Sequence, residues 1–287
     1  IKSWGLKYIT QFSKSEKPNR VYVPGDKNFS GSFTLQSEII LPRKQRQDEI
    51  NYNPHPHLTS SIFGYHSTGS GYTHPGTDYG LQAFVVRSAL ESTLYPDDRQ
   101  RVKFALKGTG VNLESPWFDE QYENNKWSLA VRAKHLTYPY TNISGTTGDN
   151  YLLEFYGVEA DGNTKRNYFL LSTPSVGLSY YSSDKIFYAG AHRTNFKGTT
   201  LHFTDIKLGY VRYWHSLLSN DAIDQHAFDT ETFGANEPFE QDLANVYSME
   251  IPREKTLGFH WAFHDTTASN AAGEFDVTDH SSGAVGS

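Results

Sequence analysis

The sequence predicts an all-β protein, an antiparallel jelly-roll sandwich of two sheets with a short helix after its last strand and a C-terminal extension. Runs in which apolar and polar residues alternate recur at intervals of roughly 10 to 20 residues, as in sandwiches. Aromatic residues make up 15% of the chain, and such wide, flat side chains favour pleated surfaces. The 23 glycines and 12 prolines supply the turns that many short strands need.

The predicted strands follow one another from the N-terminus. The first clear one, at 32–41, places its apolar residues on one face at every second position, and Pro42 ends it. An Asp161-Gly162 pair between two further runs predicts a hairpin. The full set of predicted strands is 32–41, 60–66, 78–87, 101–106, 126–135, 150–158, 168–172, 185–191 and 199–214.

The C-terminal quarter divides into a helix, a linker and an extension. Residues 220–228 form the one convincing helix, because Ser219 or Asn220 can cap its N-terminus. Composition becomes polar at 235–256, and short strand-like runs follow at 257–263 and 274–277. We therefore predict a sandwich domain at 1–234. Residues 235–287 would be a linker and an extension that docks on the sandwich or starts the next module of a longer polypeptide.

Composition excludes several classes of function. The net charge of −6 argues against a nucleic-acid partner, which usually requires a basic surface. The chain has no cysteine, which excludes disulfides, zinc–thiolate sites and a cysteine nucleophile. No apolar run approaches the length of a membrane span, so we expect no membrane insertion. The expected partners are glycans or neighbouring structural subunits, including further copies of this chain.

The stretch at 199–229 carries a family resemblance. Its alternating run ends in Trp214, and the segment from Leu217 to Asp221 reads LLSND. With the runs at 29–35, 126–131 and 186–191 in the same order, it resembles laminin-G-like and concanavalin A-like domains over about residues 20–233. The resemblance implies a jelly roll whose ligand sites lie on rim loops or on the concave sheet, sometimes with calcium. No calcium motif of such domains has a match here.

Glycoside hydrolases of the same fold resemble one another in an E-x-D-x-E motif on one strand, whose spacing sets alternate carboxylates on one face. This motif is absent, and the acidic run at 119–123 has the wrong spacing. We therefore predict a non-enzymatic structural or adhesion module of a larger virion or cell-surface protein. The alternative is a polysaccharide-degrading glycoside hydrolase whose carboxylates, Glu154 and Asp205, come from distant strands.

Three turn-rich loops, at 67–78, 115–125 and 190–198, hold candidates for glycan recognition. Aromatic rings stack on sugar C–H groups, while amides and carboxylates bond hydroxyls; packing of the same aromatic rings in the core is the competing explanation. The histidines at 55 and 57 lie between prolines, which favours a rigid surface loop over a metal site, and we predict no metal ligands. The candidate ligand-binding residues are Tyr72, His74, Asp78, Trp117, Tyr122, His192, Arg193 and Asn195.

Overall fold

The computed structural model confirms an all-β architecture of two antiparallel sheets. It describes residues 11–12, 33–43, 58–67, 80–88, 101–135, 151–174, 185–196, 198–201, 204–214, 216–232, 257–269 and 275–280.

Fifteen strands and one α-helix lie within these ranges. The helix, α1, is Asn220–Phe228. The strands are β1 (Gln11–Phe12), β2 (Phe33–Leu41), β3 (Thr59–Ser67), β4 (Gly80–Arg87), β5 (Val102–Gly108), β6 (Val111–Glu114), β7 (Asn125–His135), β8 (Tyr151–Asp161), β9 (Thr164–Pro174), β10 (Lys185–Ala189), β11 (His192–Arg193), β12 (Thr200–Leu201), β13 (Lys207–Trp214), β14 (Leu257–Ser269) and β15 (Phe275–Asp279).

The strands form a seven-stranded sheet, a six-stranded sheet and a small hairpin. The seven-stranded sheet has the order β15-β14-β13-β2-β7-β8-β9, and the six-stranded sheet has the order β1-β10-β3-β4-β5-β6. Strands β11 and β12 pair with each other. Because neighbours in both sheets are often distant in sequence, loops must cross between the sheets, as a jelly roll requires.

Aromatic side chains fill the space between the two sheets. The Phe104 ring from the six-stranded sheet lies 4.6 Å from Trp127 and 5.5 Å from Phe169 of the seven-stranded sheet, measured between ring centroids. Phe187 similarly meets Phe259 at 4.9 Å. These residues are at most 4% exposed, so the aromatic side chains of the described strands form much of the core.

Helix α1 covers the outer face of the seven-stranded sheet. Its Ala222 and Ile223 pack against Trp214 and Tyr156. Its N-terminus is capped by Ser219, whose hydroxyl accepts a hydrogen bond from the Ala222 amide, as expected from the sequence.

Several polar groups beneath α1 pair with one another. Gln36 donates a hydrogen bond to the Ser128 hydroxyl at 2.7 Å, and its carbonyl oxygen lies 2.9 Å from Nδ1 of His226. Arg132 pairs with Glu154 at 2.9 Å. These pairs indicate a structural role for the groups that form them.

The predicted strands appear with changed bounds. The run predicted at 199–214 contains two strands, β12 and β13, and residues 204–206 before β13 are irregular. Strand β6 has four residues and strand β11 has two, which is too short for a periodic pattern to identify. The hairpin predicted at Asp161-Gly162 joins β8 to β9, where Asp161 pairs with Thr164. Strand β14 pairs with β13, and the domain division at residue 234 stays a prediction.

Candidate functional site

The outer face of the six-stranded sheet contains the best candidate site. Along each strand, side chains that point away from the core alternate with core residues such as Leu81, Val85 and Phe104. We call this surface the six-strand face. Its members include aromatic, amide, imidazole and ammonium groups: Ser61, Gly64, His66, Gln82, Phe84, Val86, Lys103, Lys107 and Tyr188.

A polar row crosses five strands of the six-strand face. Tyr188 pairs with Gly64, Gly64 with Gln82, Gln82 with Lys107 and Lys107 with Asn112. Side chains at such opposed positions lie roughly 5 Å apart at their Cβ atoms. The row therefore presents a phenol, an amide and an ammonium group side by side.

Gly64 is required for this row because the Gln82 side chain crosses over it. A Cβ atom on Gly64 would lie 2.4 Å from Gln82 Oε1 and 2.3 Å from the backbone oxygen of Leu81. Gln82 is 1% exposed, and its Oε1 has no hydrogen-bond partner in the described part of the chain. An amide oxygen in this condition is a candidate contact for a bound molecule.

His192 lies over one end of the six-strand face. Its Nδ1 is 2.6 Å from the Ser61 hydroxyl, and its ring meets the Phe84 ring edge-on at 5.0 Å. The preceding turn is anchored by a hydrogen bond from the Gly190 amide to the Ile62 carbonyl. Burial lowers the pKa of the half-buried imidazole, so the neutral form predominates at neutral pH.

The ring of His66 packs at a tilt against Tyr188, at one end of the polar row. Their ring centroids are 4.4 Å apart, and Phe196 meets His66 edge-on at 5.1 Å. Asn195 and Phe196 have φ angles of 48° and 62°, in the left-handed region that non-glycine residues rarely adopt. The strained turn thereby holds Phe196 against the pair, and strain of this kind clusters at functional sites.

The far edge of the six-strand face is cationic. Lys103 and Lys107 both pair with Glu114, the former at 2.5 Å. These two ammonium groups lower the pKa of the Glu114 carboxyl to about 2. Trp117 is 39% exposed, with Lys103 Nζ 5.1 Å and Arg101 Cζ 5.8 Å from its ring centroid.

The structure separates the predicted ligand-binding residues. His192 and Arg193 form β11 beside the six-strand face, and Asn195 lies exposed in the next turn. Trp117 lies at the cationic edge. Tyr122 is 1% exposed in the core, which removes it from any rim loop, and burial raises the pKa of its hydroxyl. The remaining three, Tyr72, His74 and Asp78, lie outside the described residues.

The two carboxylates of the hydrolase alternative have different partners. Glu154 lies on the outer face of the seven-stranded sheet and pairs with Arg132 and Lys134 at 2.9 Å each. Asp205 precedes β13 and accepts a hydrogen bond from Ser60 of the six-stranded sheet at 2.6 Å. A shared active site for this pair stays a prediction.

The described ranges contain no group of three or more histidine or acidic side chains suited to a metal ion. Calcium stays a prediction, and the histidines at 55 and 57 lie outside the described residues. No described helix is long and apolar enough to cross a membrane.

None of the nine named members of the six-strand face was among the predicted ligand-binding residues. The members on which the site depends are Ser61, His66, Gln82, Lys107 and Tyr188. Each is a polar or amphipathic residue that alternates with core residues in an otherwise apolar strand. That alternation is a signal for the outward face. The sequence does not show which strands lie side by side, and hence which outward residues meet.

Comparisons with known proteins give no family. No protein family and no curated protein matches this sequence. Among solved structures, the enzymatically active domain of bacteriophage CBA120 tailspike protein 2 is similar, with 10% identity and a TM-score of 0.35. The match covers 70% of this chain and only 24% of the tailspike chain.

Two further solved structures are similar. Scytalido-glutamic peptidase has 9% identity and a TM-score of 0.30, over 64% of this chain and 73% of the peptidase. The alginate lyase from the marine Aplysia kurodai has 5% identity and a TM-score of 0.31, over 64% of this chain and 69% of the lyase. At these values the likenesses assign neither a family nor an activity, and the concanavalin A-like resemblance stays a prediction.

The prediction that this chain is not an enzyme is wrong as an inference from its fold class. The three similar structures are described as an enzymatically active domain, a peptidase and a lyase. The prediction rested on one missing motif of paired carboxylates, and that motif serves one kind of hydrolysis only.

Proposed function

We propose that this chain degrades an acidic polysaccharide, bound across the strands of the six-strand face. The observation that carries the proposal is the row of Tyr188, Gln82 and Lys107, flanked by His66 on one side and His192 on the other. Sites for small and extended ligands combine aromatic surface with a few convergent polar groups in this way. A place on a virion or cell surface, where such polysaccharides occur, fits the same proposal.

The charges of the face favour an anionic sugar. Lys103 and Lys107 lie at its edge, and both pair with Glu114. Each ammonium group has three N–H donors, so donors remain for a ligand carboxylate. The half-buried Phe84 and exposed Trp117 offer ring surface for sugar C–H groups. A uronate-containing chain has both features.

The chemistry that suits these side chains is elimination. Hydrolysis by paired carboxylates needs one protonated acid. Glu114, a carboxylate at the edge of this face, has a pKa of about 2 and is therefore ionised at neutral pH. In elimination, a base removes the C5 proton of a uronate and its electrons form a C4=C5 double bond. The C4–O bond breaks, and the glycosidic oxygen takes up a proton, without consumption of water.

The ring pair of His66 and Tyr188 is suited to these proton transfers, because both side chains can accept or donate a proton. In this proposal Gln82 and His192 bond the substrate carboxylate, which stabilises the charge that develops when the C5 proton leaves. The two rings are at most 1% exposed, so the proposal requires the structure around them to open for the substrate.

The test is turnover of polymannuronate, polyguluronate and polygalacturonate, with dextran as the neutral control. Elimination raises ultraviolet absorbance and reducing ends together on a polyuronate and neither on dextran. Reducing ends without absorbance would indicate hydrolysis instead. A folded protein that produces neither signal on any polyuronate would contradict the proposal.

A pair of variants distinguishes the six-strand face from the rest of the surface. Tyr188→Phe keeps the ring and removes the hydroxyl, and we expect kcat to fall by roughly 10²-fold or more, the usual size for a proton-transfer group. The matched control is Tyr156→Phe on the opposite sheet, whose hydroxyl bonds Asp224 at 2.6 Å. Equal losses in both variants would point to a general effect on folding.

A further inference from the structure

We infer that His192 acts as a hydrogen-bond donor through Nε2–H, and that Ser61 is the positioning residue that holds the imidazole in this tautomer. The role of His192 in catalysis rests on the proposed function. The tautomer of its imidazole is independent of that function. Its chemical consequence is a fixed neutral donor on the six-strand face, suited to a carboxylate or other oxygen of the sugar.

The argument starts from the hydrogen bonds available to Ser61. Its hydroxyl is one donor and one acceptor, and its residue is fully buried. Among the described residues, the Nδ1 atom of His192 is its one partner, at 2.6 Å. If Nδ1 carried the proton, the hydroxyl proton of Ser61 would be buried without an acceptor. If Ser61 donates to Nδ1, only an oxygen lone pair is unused, and that arrangement is the less costly one.

A neutral imidazole with Nδ1 as acceptor carries its proton on Nε2. No described residue bonds Nε2, and the side chain is half-buried rather than covered. The edge-on Phe84 ring, at an interplanar angle of 84°, helps to fix the orientation of the imidazole. The lowered pKa of His192 agrees with a neutral side chain.

A nucleophilic role for Ser61 is not supported by the same geometry. A serine nucleophile needs a histidine that is in turn oriented by an acidic side chain. No described acidic side chain hydrogen-bonds His192, and Asp205 bonds the neighbouring Ser60 instead. The Ser61 hydroxyl therefore acts on the reaction through His192.

The first test measures the tautomer on the full chain, without substrate. Nitrogen-15 chemical shifts of labelled histidine, assigned with a His192 variant, distinguish a protonated from an unprotonated ring nitrogen. We expect Nε2 protonated and Nδ1 unprotonated in the wild type and in Ser61→Thr. Burial alone lowers the pKa of His192, and a hydrogen bond donated to Nδ1 favours the neutral ring further. In Ser61→Ala we therefore expect the pKa of His192 to rise, because that hydrogen bond is gone.

Ser60→Ala is the matched control. It removes a buried hydroxyl on the other face of β3, whose hydrogen bond to Asp205 is as short as that between Ser61 and His192. It should leave the shifts and the pKa of His192 unchanged. A protonated Nδ1 in the wild type, or a Ser61→Ala variant that titrates like Ser60→Ala, would overturn the inference.

The second test asks whether His192 donates a hydrogen bond or accepts a proton during turnover. The amide nitrogen of His192→Gln reaches the position of Nε2 and can donate a hydrogen bond, but it cannot accept a proton. For a donor, kcat/KM falls by roughly 10²-fold in His192→Ala and by less than about tenfold in His192→Gln. Equal losses in the two variants would overturn the donor role. If no polyuronate is turned over at all, the proposed function fails, and the tautomer measurement still decides the inference.

Discussion

Glu114 stands between two lysines at the edge of the six-strand face, and its charge competes with a polyanionic ligand. Its carboxylate occupies protons of Lys103 and Lys107 that a substrate carboxylate would otherwise bind. We expect Glu114→Gln to lower KM for a polyuronate severalfold at low ionic strength, with the difference fading as salt screens the lysines. Steady-state kinetics at two salt concentrations measure this effect.

The control for this prediction is Glu123→Gln, which removes an exposed carboxylate paired with Arg43 at 3.4 Å. Its KM should stay at the wild-type value. An unchanged KM in Glu114→Gln would mean that the lysines at this edge do not meet the ligand.

Two buried histidines on the opposite face make stability depend on pH. Burial lowers the pKa of His226 and of His260 to about 3, from an ordinary value of 6.5. Below pH 6.5 the unfolded chain therefore binds protons that the folded chain does not. We expect the free energy of unfolding to fall as pH drops from 6.5 toward 3, by up to about 1.4 kcal/mol per pH unit for each histidine.

Denaturant unfolding at a series of pH values measures this slope, and His226→Gln should make it shallower. Glu38 has the opposite effect on the free energy of unfolding. Burial raises its pKa, so the folded state binds a proton at a higher pH than the unfolded state does. A stability that stays constant between pH 6.5 and 4 would show that neither histidine is held neutral in the fold.

Strand β8 depends on one close contact between its backbone and an aromatic ring of β9. A Cβ atom on Gly157 would lie 2.3 Å from Phe169 Cε1 and 2.8 Å from Leu129 Cδ2. Since the surrounding core is filled, we expect Gly157→Ala to destabilise the protein by about 1–3 kcal/mol, as overpacking does. Equilibrium unfolding in denaturant measures the change.

The double variant Gly157→Ala/Phe169→Leu tests the cause of that loss. The smaller leucine gives the new methyl group room, so the two substitutions should cost less together than the sum of their separate costs. Additive costs would place the strain elsewhere in the strand.

For the whole molecule, the C-terminal extension belongs to the packing of the sandwich. Strand β14 pairs with β13, and its Phe259 and Trp261 are 1% and 3% exposed within the core. A chain that ends at residue 234 would leave β13 without this neighbour. We expect it to lose cooperative thermal unfolding, whereas Trp261→Ala in the full chain should cost about 3–5 kcal/mol and keep the fold.

Circular dichroism melting curves of the two chains compare these outcomes. A chain ending at residue 234 that melts cooperatively near the temperature of the full chain would support the predicted domain division instead.

The sequence by itself determined the elements of this protein. Alternation along strands such as β2 and β7, the Asp161-Gly162 turn and the Ser219 cap all depend on neighbours a few residues apart, so local physics is enough to predict them. The same patterns predicted an all-β sandwich. They placed His192 and Arg193 on a loop at 190–198, whereas in the structure these two residues form the short strand β11.

Only the tertiary structure decided which residues meet. Strand register brings Gln82, Lys107 and Tyr188 into one row from three strands, and it sets Ser61 against His192 from 131 positions away. Packing also places the Tyr122 side chain in the core, away from the loop surface where it was predicted. No local pattern encodes these outcomes, because pairing between distant strands depends on the free energy of the assembled core.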